Sequence, residues 1–132
     1  MTNRQIIDAF VDCINDHDVT GLGELMSDDH KFVDAHGNQV SGKAQMMAGW
    51  RGYFEWFPDY FIEVVEVFEP VTGVQESSFA MFGFAGGSFK GDAKAAWRLP
   101  AAWKAIVKDE RIALWQVFAD TKIPFELIER NS

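Results

Sequence analysis

The first apolar pattern along the chain is helical. Ile6, Ile7, Phe10, Val11 and Ile14 recur at steps of three and four residues, which places them on one face of a helix expected over 2–15. The stretch NDHDVTGLGELMSDDH breaks that pattern and restarts it. Asp18 is placed to cap a short second helix carrying Val19, Leu22, Leu25 and Met26, which Gly21 and Gly23 weaken. KFVDAHG then alternates as a strand and runs into a Gly-Asn turn. Ser41 is placed to cap a third helix over 42–57, crowded by Met46, Met47, Trp50, Tyr53, Phe54 and Phe57 and stopped by Pro58.

Beyond Pro58 the period changes to two. YFIEVVEVFE is rich in β-branched and aromatic residues, and the segment from Pro70 to Gly73 carries turn chemistry. SFAMFGFAGG is apolar on both faces, as a central strand would be, and Gly86 to Ser88 is expected to form a hairpin turn. AKAAWRLPAAWKAIVK predicts a long strand in which Pro100 marks a bulge or an edge. DERIALWQVFAD predicts a turn and a last strand, and IPFELIER a closing helix started by Pro124. Helices first and neighbouring strands afterwards imply an α+β fold in a single domain spanning 1–132. A twisted sheet of that size curls, and the first and third helices are available to fill its concave face around a cone-shaped cavity.

Composition sharpens this picture. At 132 residues, burial of roughly two-thirds of the unfolded chain's surface supports a core without staples. Twelve phenylalanines and five tryptophans exceed what a simple core of this size requires, which points to an aromatic-lined cavity or a dimer face. A net charge of −8 with scattered basic residues argues against a nucleic-acid partner, since no basic stripe is there to neutralise phosphates, and against a basic membrane-surface helix. The single cysteine, Cys13, cannot form an intramolecular disulfide, and with no paired ligands on one face the three histidines predict no metal site. No signal-like N-terminus and no apolar run near ~18 residues occur, so a cytoplasmic chain is expected.

Candidate chemistry centres on Asp34. Strand alternation puts Phe32, Asp34 and His36 on one face, so a carboxylate and an imidazole share it with an apolar ring. One reading is a desolvated carboxylate in an aromatic cup, suited to proton transfer; the other is a strand-end aspartate bonded to the Gly37–Asn38 turn. His36 is either a partner acid or a wet turn residue. Asp120 follows Ile112, Leu114, Gln116 and Phe118 on one strand face, either at a cavity mouth or as a helix-start carboxylate. Gln116 would meet a ligand or a dimer partner. His17 and His30 sit in polar stretches and carry no signal.

In its order of motifs the chain resembles the SnoaL-like branch of the nuclear transport factor 2-like superfamily. The matching residues are Asp18, Leu22, Leu25, Asp28, Asp29, Phe32, Asp34, Gly42, Lys43, Phe57, Pro58 and Asp59, followed by the strand pair in LPAAWKAIVKDERIALWQVFAD. The resemblance implies a cone pocket worked by carboxylate or imidazole acid/base groups without metal or organic cofactor. Asp34 matches the position of the ketosteroid isomerases' base, but Phe10 stands where they carry a tyrosine donor, and the stretch from Ala101 to Trp103 lacks their acid. No Arg-x-Asp occurs, and Val117 occupies the last-strand position where limonene epoxide hydrolases need an aspartate.

The expected function is therefore binding of a small hydrophobic molecule, with cofactor-free isomerase, cyclase or dehydratase chemistry on a carbonyl compound. Asp34, His36 and Asp120 are the acid/base candidates. Trp50, Tyr53, Phe54, Phe57, Tyr60, Trp97, Trp103 and Gln116 are the ligand-binding candidates, and the sheet's outer face is the expected homodimer contact. The alternative is a non-catalytic binding or dimerisation module; a transport role would need an exposed partner surface.

Overall fold

The computed structural model describes residues 1–69 and 76–130; the turn expected from Pro70 to Gly73 lies outside them. Helix α1, Asn3–Asp16, begins at a capping box in which Thr2 and Gln5 satisfy each other's backbone N–H groups. It ends at His17, in the left-handed region with φ 55. Helix α2, Val19–Leu25, is capped by Asp18, whose Oδ1 accepts from the Gly21 N–H at 2.9 Å. Met26, expected within the second helix, is instead its extended C-cap and opens strand β1, Met26–Val33.

A short strand not anticipated from the sequence, β2 (Gln39–Ser41), pairs back on β1. Ser41 thus belongs to a strand and does not cap helix α3, Lys43–Trp56; Gly42 sits there with φ 99 and no side-chain cap. Strands β3 (Phe61–Phe68), β4 (Glu76–Ser88), β5 (Ala96–Lys108) and β6 (Arg111–Ala119) complete the sheet, and α4, Lys122–Arg130, follows. The order is β2-β1-β6-β5-β4-β3, antiparallel throughout except for the parallel β1–β6 pair. The α+β class, with a mixed sheet against helices, is as the hydrophobic pattern predicted.

Three register details position the site. Gly86 to Ser88 continue β4 instead of turning; two 3₁₀ turns, Phe89–Gly91 and Ala93–Ala95, make the connection. Pro100 lies opposite Phe84 with no bulge, and β6 joins β5 only from the Ala101–Ala119 pair onward, so the edge reading holds. Ile106 faces Leu114 while Val107 faces Ile112, leaving Ala113 as an extra residue. That bulge reverses the phase of β6. Ile112, Trp115, Val117 and Ala119 face inward, and Leu114, Gln116 and Phe118 face out.

Helix α1 fills the closed end of the curved sheet. The Phe10 ring lies 4.9 Å from Trp115, which in turn lies 6.5 Å from Trp103, and all three are buried. The exposed edge of β3 is covered by a side chain: Asn15 exchanges hydrogen bonds with the backbone N–H and carbonyl of Ile62 at 2.8 and 3.0 Å.

Candidate functional site: an aromatic cavity at the open end of the cone

The core rings fill only the closed end. At the other end a cavity of about 320 Å³ remains between α3, β1, β5, β6 and α4. Helix α3 builds one wall because it carries two stripes one position apart. Met46, Trp50 and Phe54 are buried against the core, while Gly49, Tyr53 and Trp56 line the cavity, with Met46 and Trp50 bordering both. Tyr60 continues this wall after Pro58. The opposite wall is Trp97, Leu99 and Ala101 of β5 with Val117 and Ala119 of β6, residues turned inward by strand alternation and by the Ala113 bulge. Pro124, Phe125 and Ile128 of α4 close over the top.

Asp34, His36 and Thr121 stand at the mouth. Asp34 is half-buried and lines the cavity, and its carboxylate also builds the β1–β2 turn. Oδ1 accepts the backbone N–H groups of His36 and Asn38, each at 2.9 Å, and Oδ2 accepts the Asn38 amide at 3.2 Å. Three of roughly four lone-pair sites are thereby taken, leaving one on Oδ2. His36 is exposed; its Nε2 lies 2.9 Å from Thr121 Oγ1, and its ring lies 5.1 Å from Phe125. The pair ties the β1–β2 turn to the start of α4.

The other candidates separate by position. Trp50, Tyr53, Tyr60 and Trp97 line the cavity. Phe54, Phe57 and Trp103 are core residues away from it, and Gln116 lies on the sheet's outer face because of the Ala113 bulge. Asp120 is exposed outside the cavity, and its Oδ1 accepts the Lys122 N–H at 3.1 Å, the helix-start role weighed for it. Sequence reasoning missed Phe32, Trp56, Thr121, Phe125 and Ile128 as lining residues. The three-residue step from Phe125 to Ile128 on an amphipathic helix was the available signal.

Burial sets the chemistry of the walls. It pushes the Tyr53 phenol well above its ordinary value, and burial aided by Tyr53 does the same to Tyr60, so both remain O–H donors at neutral pH. Neither hydroxyl has a hydrogen-bond partner among the described residues, and the buried indole N–H groups of Trp50 and Trp97 also lack one. His17, which carries no signal in the sequence, holds this wall from behind. Its Nε2–H donates to the Tyr60 carbonyl at 2.7 Å while its ring stacks on Phe54 at 4.0 Å and 4°. Asp59 accepts from the Ser88 N–H and hydroxyl at 2.7 and 2.6 Å; despite opposing desolvation, these bonds hold its carboxyl below the usual value and fix the exit of α3 to β4. No group of three or more metal-ligating side chains occurs among the described residues.

The mixed sheet packed against helices is the fold of nuclear transport factor 2-like and ketosteroid isomerase-like proteins. The chain belongs to the SnoaL-like domain family, whose model matches residues 7–115. Similar solved structures include a hypothetical protein of ketosteroid isomerase-like fold from Catenulispora acidiphila DSM 44928, in complex with trimethylamine. It is 19% identical, the match covers 89% of this chain and 86% of that one, and the TM-score is 0.75. TerC, co-crystallised with polyporic acid, is 19% identical over 96% and 98% of the two chains, with a TM-score of 0.77. An LEH-like epoxide hydrolase of M. tuberculosis is 13% identical over 96% and 88%, with a TM-score of 0.75. At these identities the likeness is one of fold. No curated protein matches the chain.

Proposed function

We propose that the protein binds a small, largely apolar molecule in the end cavity and exchanges a proton with it through His36 and Asp34, as a cofactor-free acid/base enzyme acting on a hydrophobic carbonyl compound. The observation that carries this reading is the meeting of aromatic walls with two titratable side chains at one mouth. His36 has one ring nitrogen on Thr121 and the other free of any partner among the described residues, so it can take a proton from carbon and return it elsewhere. Asp34 orders the turn that carries His36 and offers its remaining lone pair to the same ligand. Tyr53 and Tyr60 supply neutral O–H donors for a carbonyl oxygen that gains charge as the proton leaves. The small molecules found with two of the structural neighbours are consistent with an end cavity that takes ligands.

A second reading, a ligand-binding module without chemistry, draws on the commitment of Asp34 to its turn. Proton exchange separates the two. 2-Tetralone incubated with the protein in deuterated buffer should lose its α-proton signal faster than with an equal concentration of imidazole, and His36→Gln should remove the excess. Binding with no excess exchange would leave the module reading alone.

We further propose that two copies pair through the sheet's outer face. Phe82 and Phe118 flank Ala102 across β4, β5 and β6, and Phe68 packs edge-on to Phe82 at 5.7 Å. The three phenylalanines are 46%, 50% and 56% exposed, a contiguous apolar patch that a second identical face would cover.

A further inference from the structure

The ring planes of the cavity carry information about its ligand. A flat apolar compound is best held between parallel rings, but the lining rings meet at steep angles. Tyr53 and Tyr60 cross at 89°, Tyr53 and Trp56 at 72°, Phe32 and Trp50 at 73°, and Tyr60 and Trp97 at 41°. Rings inclined to one another in this way form a box. Asp34 is the one formally charged side chain among the residues lining the cavity, and no lysine or arginine is among them. The chain as a whole carries −8. An anionic ligand would enter such a site against the field and find no cation to pair with. A positive nitrogen surrounded by methyl or methylene groups suits it on both counts: its apolar shell fills the box, and its charge is attracted by the rings and by the spare lone pair of Asp34.

Resting on the reading of this cavity as the ligand site, we propose that the ligand carries a positively charged nitrogen, as a tertiary or quaternary amine, held by the aromatic box of Trp50, Tyr53, Trp56, Tyr60 and Trp97 with Asp34 at its mouth. Cation–π attraction in a desolvated site is strong enough to separate a cation from its neutral isostere by about tenfold or more.

Three probes of one shape test this by calorimetry: benzyltrimethylammonium, neopentylbenzene and phenylmethanesulfonate. The cation should bind at least about tenfold tighter than the neutral compound, and the sulfonate should bind weaker than both. Trp56→Leu, at a rim position already 39% exposed, should weaken the cation several-fold and the neutral probe little. Asp34→Asn, which keeps an oxygen for the turn, should narrow the gap between cation and neutral probe. Equal affinity for cation and neutral probe would overturn the inference while leaving the apolar cavity intact. Failure of all three probes and of 2-tetralone to bind would remove the cavity reading itself, and the inference with it.

Discussion

His30 shows how much a single position can hide. It sits in the polar run SDDHK yet is fully buried, with Nδ1 2.8 Å from the Ile112 carbonyl and Nε2 without a partner among the described residues. Because a carbonyl can only accept, Nδ1 carries the proton and the neutral ring is the form that fits. Burial lowers its protonation point below the ordinary 6.5, outweighing the bond to Ile112 and the nearby Asp29. The folded state therefore binds fewer protons than the unfolded state below about pH 6.5, so this contribution to stability is complete above that pH and is lost as pH falls. Urea unfolding from pH 7.5 to 5.5 should show it: His30→Asn, which can retain the bond to Ile112, should be less stable at pH 7.5 by about 1–3 kcal/mol but lose less on acidification. An unchanged slope would remove His30 from the balance. The burial was illegible because β1 starts five residues earlier than its alternation suggests, inside what reads as a polar loop. Asp34 was legible as unusual: its carboxylate bonds the turn, the second of the two readings given for it, and it also lines the cavity.

At the scale of elements, helices and long strands were readable from periodicity, and their faces less so. Trp50, Tyr53 and Phe54 on α3 and Phe57 just after it are equally aromatic in the sequence; only their packing in the fold divides them between core and cavity. In β6 the alternation from Ile112 to Phe118 looked continuous, and the extra residue Ala113 broke it, sending Gln116 outward and Val117 and Ala119 inward. Nothing in the composition of IALWQV announces a bulge. Strand β4 depends on a feature the sequence does print, its glycines. Gly83 lies where β3 is itself irregular between Val64 and Glu66, and a Cβ there would collide with the Glu63 carbonyl oxygen. Gly83→Ala should cost more than about 2 kcal/mol of unfolding free energy, because backbone rather than a flexible side chain must yield. Gly52→Ala, in the middle of α3 with open space around it, should instead stabilise by about 0.4–1 kcal/mol. A similar outcome for both would show that the close approach of β3 to β4 is not needed.

For the whole molecule, the division of labour is between a filled end and an open end of one cone. Phe10, Trp103 and Trp115 pack against one another at the filled end, while rings of α3 and β5 bound the cavity at the other. The outer face is the second consequence of the same curvature. Light scattering coupled to size exclusion should give twice the chain mass, and Phe82→Glu with Phe118→Lys should give a single chain that still binds cavity ligands. A monomer before substitution would leave the phenylalanine patch without the partner assigned to it. The central claim, that a small apolar molecule enters the open end and nowhere else, is tested most directly by the five tryptophan indole N–H signals in an NMR titration with 2-tetralone. Saturable shifts confined to Trp50, Trp56 and Trp97, with Trp103 and Trp115 still, are predicted. Shifts at Trp103 and Trp115, or none at all, would contradict the account.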